Sequence, residues 1–173
     1  RGFLTEYRVF APSVSDLHLE DVPLSASGDF SPPKLRAAVH KSHIVGDVVA
    51  HYLRVAQGKL GVTFAVDVES ATELAAAYRA AGVPSEVVSA DTPDLLRAQI
   101  LRRFRSREIL QLCNVDLFGE GFGLPAIEVV SMARPTQSYS LYAQQFGRAL
   151  RPLPGKTHAL IIDHAGNVQR HGL

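Results

Sequence analysis

Gln144, Arg148 and Arg151 are spaced by four and three residues, so a helix through them stacks their side chains on one face. Tyr142, Phe146, Ala149 and Leu150 fall on the opposite face, which is apolar and suits a core. Gly147 stands between the two sets. Pro152 disfavours helical geometry at Arg151, so the helix should end there or a residue earlier. Two guanidinium groups held out from a packed helix end can stabilise charge on a transferring phosphoryl group. An amphipathic helix with solvated arginines would show the same spacing.

A second segment of chemical interest is Val115-Asp116-Leu117-Phe118-Gly119-Glu120-Gly121-Phe122-Gly123-Leu124-Pro125. Gly121 and Gly123 let the backbone approach a ligand closely or take positive φ. Arg97 and the run Arg102-Arg103-Phe104-Arg105-Ser106-Arg107 could meet phosphates. We read that run as the wet side of a helix with Phe104 turned inward. No aromatic ladder for base stacking accompanies it, which argues against sequence-specific readout.

Other groupings carry less. Gly155-Lys156-Thr157 has Leu150 where a phosphate-binding loop needs its first glycine, and it follows a helix instead of a strand. Asp163 in Leu160-Ile161-Ile162-Asp163-His164 lacks a following glutamate, so it reads as a strand terminus. Seven histidines include His40 and His43 three apart, and His164 and His171 near the end. With one cysteine and no H-E-x-x-H or C-x-x-C, no metal ligands are expected, and the histidines are read as solvated or capping.

The elements that position these residues alternate. Tyr7 to Phe10 reads as a short strand, followed by an irregular stretch with Pro12, Pro23, Pro32 and Pro33. Helical spacing runs from about Leu35 to Gln57, with Val45, Val48, Val49, Tyr52 and Leu53 facing inward. Val62 to Val66 is a continuous apolar run suited to a buried parallel strand. Ser70 and Glu73 have capping-box spacing, ahead of Leu74, Ala77, Tyr78 and Ala81 and a stop at Gly82. Glu86 to Val88 is a strand. Thr92-Pro93 opens a helix whose buried stripe should be Leu96, Ile100 and Phe104. Strands are expected at 109–113, 127–130 and 158–162. The alternation predicts an α/β fold, an open and mostly parallel sheet with helices on both faces. We expect residues 1–34 to hold a first strand and an irregular excursion, and 35–173 to form the domain.

At 173 residues, 46% hydrophobic and 20% charged, the chain is long enough for one substantial core. A net charge of +1 gives no overall basic field, so any nucleic-acid contact must be local. Cys113 sits in an apolar run and reads as a core thiol in a reducing compartment, the cytoplasm. No stretch reaches the roughly 18 apolar residues of a membrane span, and no signal peptide is evident. The sequence begins at Arg1 rather than Met, as expected of a portion of a longer protein.

In this order and spacing the segments resemble those of superfamily 2 helicases. Phe64-Ala65-Val66 and its helix are similar to motif IV. Arg97, Ile100, Leu101 and Phe104 resemble the R-x-x-x-L-x-x-F stretch before motif V. The 115–125 segment resembles motif V, and Gln144, Gly147, Arg148 and Arg151 resemble the Q-x-x-G-R-x-x-R of motif VI. The resemblance covers about residues 60–165 and is to the second RecA-like lobe of type III restriction-subunit-like, DEAD/DEAH-type enzymes.

It implies several roles. Arg148 and Arg151 would be arginine fingers on ATP. Gln144, Gly147, Glu120, Gly121 and Gly123 would contact the nucleotide. Arg97, Val115 and Asp116 would contact the DNA backbone. ATP and Mg²⁺ would be held mainly by an N-terminal RecA-like lobe of the same protein, and the fragment alone would be inactive. Gly123 departs from the family, which has Asp there. That departure leaves open a degenerate lobe used only for docking. Glu120 and Glu128, eight apart, also resemble the E-x7-E segment of retaining two-lobed glycosyltransferases, where such a loop binds a sugar nucleotide.

Overall fold

The computed structural model describes residues 7–10, 22–24, 26, 28–41, 44–115, 125, 127–135 and 159–165. The elements are β1 (Tyr7–Phe10), α1 (Pro32–Lys41), α2 (Ile44–Val55), β2 (Gly61–Phe64), α3 (Val68–Ala80), β3 (Ser85–Val88), α4 (Asp94–Arg105), β4 (Gln111–Asn114), β5 (Val129–Met132) and β6 (Ala159–Asp163). The strands form one six-stranded sheet in the order β1-β6-β5-β2-β4-β3. Every pairing between neighbours is parallel. The strand from the stretch expected to precede the domain thus adds to the edge of the same sheet.

A parallel sheet must bury both faces, and the apolar runs allow it. On one face Cys113, Val129, Leu160 and Ile162 meet Leu35 and Val39 of α1, Val48, Val49 and Tyr52 of α2, and Ala71, Leu74 and Tyr78 of α3. On the other, Val62, Phe64, Leu112, Val130, Met132 and Ile161 meet Ile100, Leu101 and Phe104 of α4. Cys113 is fully buried, and burial pushes its thiol up to about 12, against a hydrogen bond from Ser85 and the charge of Arg79. Helices on both faces of an open parallel sheet are the architecture expected from the alternation.

Three local readings need correction. The helical stretch from Leu35 to Gln57 is two helices, α1 and α2, with residues 42 and 43 between them outside the described set. The cap of α3 is Asp67, not Ser70: its Oδ1 accepts the Ser70 amide at 2.7 Å, so the helix starts three residues earlier. Leu96 is 47% exposed and so lies off the buried stripe, which is Ile100, Leu101 and Phe104. Its helical position, four residues before Ile100, falls in the first turn of α4, beyond the cover of the sheet.

Beneath α2 and α3 the sheet holds a buried polar chain. Thr63 Oγ1 donates to Gln111 Oε1 at 2.9 Å and lies 2.8 Å from the Tyr78 hydroxyl. Ser85 Oγ donates to the Gln111 carbonyl at 2.9 Å, and the Tyr52 hydroxyl donates to the Lys59 carbonyl at 2.7 Å. These bonds span β2, β3 and β4 and pin their register. Burial pushes the hydroxyls of Tyr52 and Tyr78 above their ordinary range, so both stay protonated donors.

Candidate functional site

In this sheet β2 connects rightward, through α3, to β3 beyond β4, while β5 connects leftward to β6. The two connections leave adjacent strands in opposite directions, which makes the carboxyl ends of β2 and β5 the switch point at which open α/β sheets carry a ligand crevice. The backbone ladder runs one residue past the strands. The Ala133 amide donates to the Phe64 carbonyl at 2.9 Å, the Ala65 amide to Asn114 at 2.9 Å, and the Val115 amide to Val88 at 3.2 Å. Asn114, Ala65 and Ala133 are therefore fixed as a rigid floor.

Polar groups stand around the crevice, and only Asp163 among them was singled out in the sequence. Asp67 caps α3 directly after β2, and Arg36 of α1 lies 3.8 Å from its Oδ2. A carboxylate there satisfies an amide at the helix start and is favoured by the helix dipole. Arg134 follows β5, with its Nε buried. Asn114 and Asp163, both buried, end β4 and β6. Polar residues closing apolar strand runs were the available signal for them. Asp163 Oδ1 accepts the Ala165 amide at 3.1 Å, in keeping with its reading as a strand terminus.

Of the residues singled out in the sequence, Arg97 and Val115 are described. Arg97 stands in the first turn of α4 and donates to Asp94 Oδ1, which holds its guanidinium close to the carboxyl rim. Val115 turns its side chain into the core, so only its backbone could meet a ligand. Asp116, Glu120, Gly121, Gly123, Gln144, Gly147, Arg148 and Arg151 lie outside the described residues. The run after Arg97 is placed as expected: Phe104 is buried, while Arg103 and Arg107 spend their charge on Glu86 at 3.2 Å and Glu128 at 2.9 Å.

Glu128 sits at the opposite, amino edge of the sheet. Its Oε1 accepts the Leu60 amide at 2.8 Å as well as Arg107. Burial pushes this carboxyl up, but the Leu60 amide, Arg107 and Lys59 outweigh it and hold the group below its ordinary range. A glutamate engaged this way cannot serve a sugar nucleotide at the carboxyl edge. The E-x7-E reading therefore loses its second carboxylate.

The histidine reading is also corrected in part. His164, at the end of β6, is 3% exposed and not solvated. Burial pulls it down to about 3, with a further contribution from His51, so its ring is neutral. No group of three or more His, Cys, Asp or Glu side chains converges on a metal position among the described residues.

Residues 44–152 match the family described as the helicase conserved C-terminal domain. The chain belongs to that family. Its sheet and helices accordingly form the C-terminal RecA-like lobe of a superfamily 2 helicase. Relatives of the helicase domain include a 51.5 kDa protein of a Lactococcus phage, 39% identical over 85% of this chain and 32% of that protein. Another is a Saccharomyces cerevisiae protein named for ATP-dependent helicase activity, IRC3, 32% identical over 86% of this chain and 22% of that protein. The helicase domain thus spans less than a third of these relatives' length.

Among solved structures, the Escherichia coli DEAD-box protein SrmB shares the fold with a TM-score of 0.62 at 16% identity, over 97% of this chain and 81% of that one. The C-terminal domain of the DEAD-box protein Dbp5 does so with a TM-score of 0.59 at 15% identity, over 72% of this chain and 71% of that one. Among the described residues no helix is long and apolar enough to cross a membrane.

Proposed function

We propose that this lobe completes the ATPase site of a DNA helicase or translocase. The observation that carries the proposal is the family match over residues 44–152, which takes in Gln144, Gly147, Arg148 and Arg151. A partner N-terminal lobe of the same protein holds ATP and Mg²⁺ with its phosphate-binding loop and acidic residues. Arg148 and Arg151 reach across to neutralise charge on the transferring phosphoryl group, and Gln144 senses the nucleotide. Asp116, Glu120, Gly121 and Gly123 follow β4 in the sequence. One segment that answers to nucleotide and strand together is what coupling hydrolysis to movement requires. Arg97, on the same rim, binds the phosphates of the DNA strand without reading its bases.

The Arg151→Ala variant of the full protein tests this. Loss of an arginine finger costs about 10³–10⁵-fold in turnover. DNA-stimulated ATP hydrolysis should fall on that scale while the thermal midpoint stays in place. Unchanged turnover would remove the finger assignment. Comparing single-stranded DNA with RNA as the stimulating strand tests the substrate, and stronger stimulation by RNA would replace DNA.

Gly123 supports a second reading, a docking lobe without motor activity. The Gly123→Asp variant separates the two. A gain in DNA-stimulated turnover identifies a weakened motor, whereas two inactive proteins that still bind DNA identify a docking lobe.

A further inference from the structure

Two histidines far apart in sequence meet at the end of β6. His164 follows the strand and is almost fully buried. Its backbone amide donates to Met132 at 3.0 Å, which fixes the residue on the sheet. Its Nε2 is buried and has no hydrogen-bond partner among the described residues. His51 reaches it from α2, with the ring centres 5.3 Å apart and the planes inclined by 62°. His51 Nδ1 lies 2.7 Å from the Asp47 carbonyl one turn earlier. A carbonyl can only accept, so Nδ1 carries the proton and Nε2 keeps its lone pair. A backbone carbonyl holding one ring nitrogen so that the other is free is how metal-binding imidazoles are oriented.

The spacing fits that use. Two imidazoles ligating one tetrahedral ion at about 2.0–2.1 Å place their ring centres roughly 5 Å apart. A hydrogen-bonded pair would satisfy the His164 nitrogen, but no such bond joins the two rings. Imidazoles without nearby thiolates suit zinc, nickel or copper over magnesium or calcium.

We propose that His51 and His164 form a two-histidine clamp for a divalent transition ion, zinc foremost, that ties α2 to the end of β6. Two protein ligands leave the remaining positions to water, so the ion fastens two elements and is held at modest affinity.

The test is a thermal melt of chelator-treated protein with and without zinc chloride. Zinc should raise the parent's midpoint by a few degrees, since it binds only the folded state. The His51→Ala variant, altered on a half-exposed helical position, should fold and lose that rise, with zinc affinity at least tenfold weaker. A His158→Ala/His171→Ala variant should keep it. No rise in the parent would overturn the proposal. So would an equal rise in His51→Ala, or a rise that disappears only in the His158→Ala/His171→Ala variant.

Discussion

Alanine at Gly61 and at Gly46 should move stability in opposite directions, for reasons set by what surrounds each position. Gly61 opens β2 in the middle of the sheet, paired with Gln111 of β4 on one side and Val129 of β5 on the other. A Cβ there would lie 2.2 Å from Val129 Cγ1, 2.5 Å from the Val129 carbonyl oxygen and 2.8 Å from Gln111 Nε2. The valine methyl could rotate away, but the carbonyl belongs to the neighbouring strand and the glutamine is bonded to Thr63. Relief requires β2 and β5 to separate at their amino ends, against the Leu60–Glu128 clasp. Overpacking of this kind costs about 1–3 kcal/mol, and the backbone clash puts Gly61→Ala at the upper end. For a chain of this size that is a midpoint lowered by roughly 5–10 °C. Gly46 lies in α2 with nothing within 4 Å of an added Cβ, so Gly46→Ala should gain about 0.5–1 kcal/mol from helix propensity alone. Urea melts at neutral pH, read by circular dichroism, give both values from the midpoints at constant slope. A Gly61→Ala protein within 0.5 kcal/mol of the parent would refute the packing of the sheet centre described above.

Two further outcomes follow from buried groups. His164 has a folded value near 3 against an ordinary 6.5, so its contribution is complete above pH 6.5 and is lost as pH falls toward 3. At pH 5 the loss is about 2 kcal/mol, and in chelator the parent should lose that much more between pH 7 and 5 than His164→Gln. Parallel pH profiles for the two proteins would show that His164 is not buried as a neutral ring. Thr63→Val strands the Tyr78 hydroxyl and Gln111 Oε1 and should cost about 1–3 kcal/mol. In a double-mutant cycle with Tyr78→Phe the two losses should not add, and strict additivity would dissolve the network.

The sequence carried the fold well because its strands are continuous apolar runs, and few architectures bury both faces of such strands. Val62 to Val66, Ile109 to Cys113 and His158 to Ile162 each overlap an observed strand, displaced by one or two residues at the ends. Local chemistry was harder to read. Ser70 and Glu73 had the right spacing for a cap, but Asp67, just past the strand exit, caps the helix three residues earlier by accepting the Ser70 amide. Leu96 follows the period of Ile100 and Phe104, yet periodicity says nothing of where the sheet stops covering a helix. The buried partnership of His51 and His164 spans 113 residues and has no local signal. Glu128 looked like half of a ligand pair because the sequence does not show which edge of the sheet a residue occupies.

That last distinction organises the whole lobe. At the amino edge, side chains close on one another: Glu128 on Leu60 and Arg107, Tyr52 on Lys59, and Ser85 on Gln111. These bonds tie the starts of the strands to neighbouring strands, turns and α2, and leave little capacity for a ligand. At the carboxyl edge the backbone ladder continues past the strands through Ala65, Ala133 and Val115. Side chains there, such as Arg36, Asp67 and Arg97, stand on helix ends around the crevice. Under the proposed function, in which the lobe meets a nucleotide and a moving strand, a stiff base keeps strain at the rim out of the strand register. Substitutions along the amino edge should therefore change stability and leave the ratio of DNA-stimulated to basal turnover intact, and those on the rim should do the reverse. An Arg107→Ala protein with normal stability but altered DNA stimulation would contradict that division.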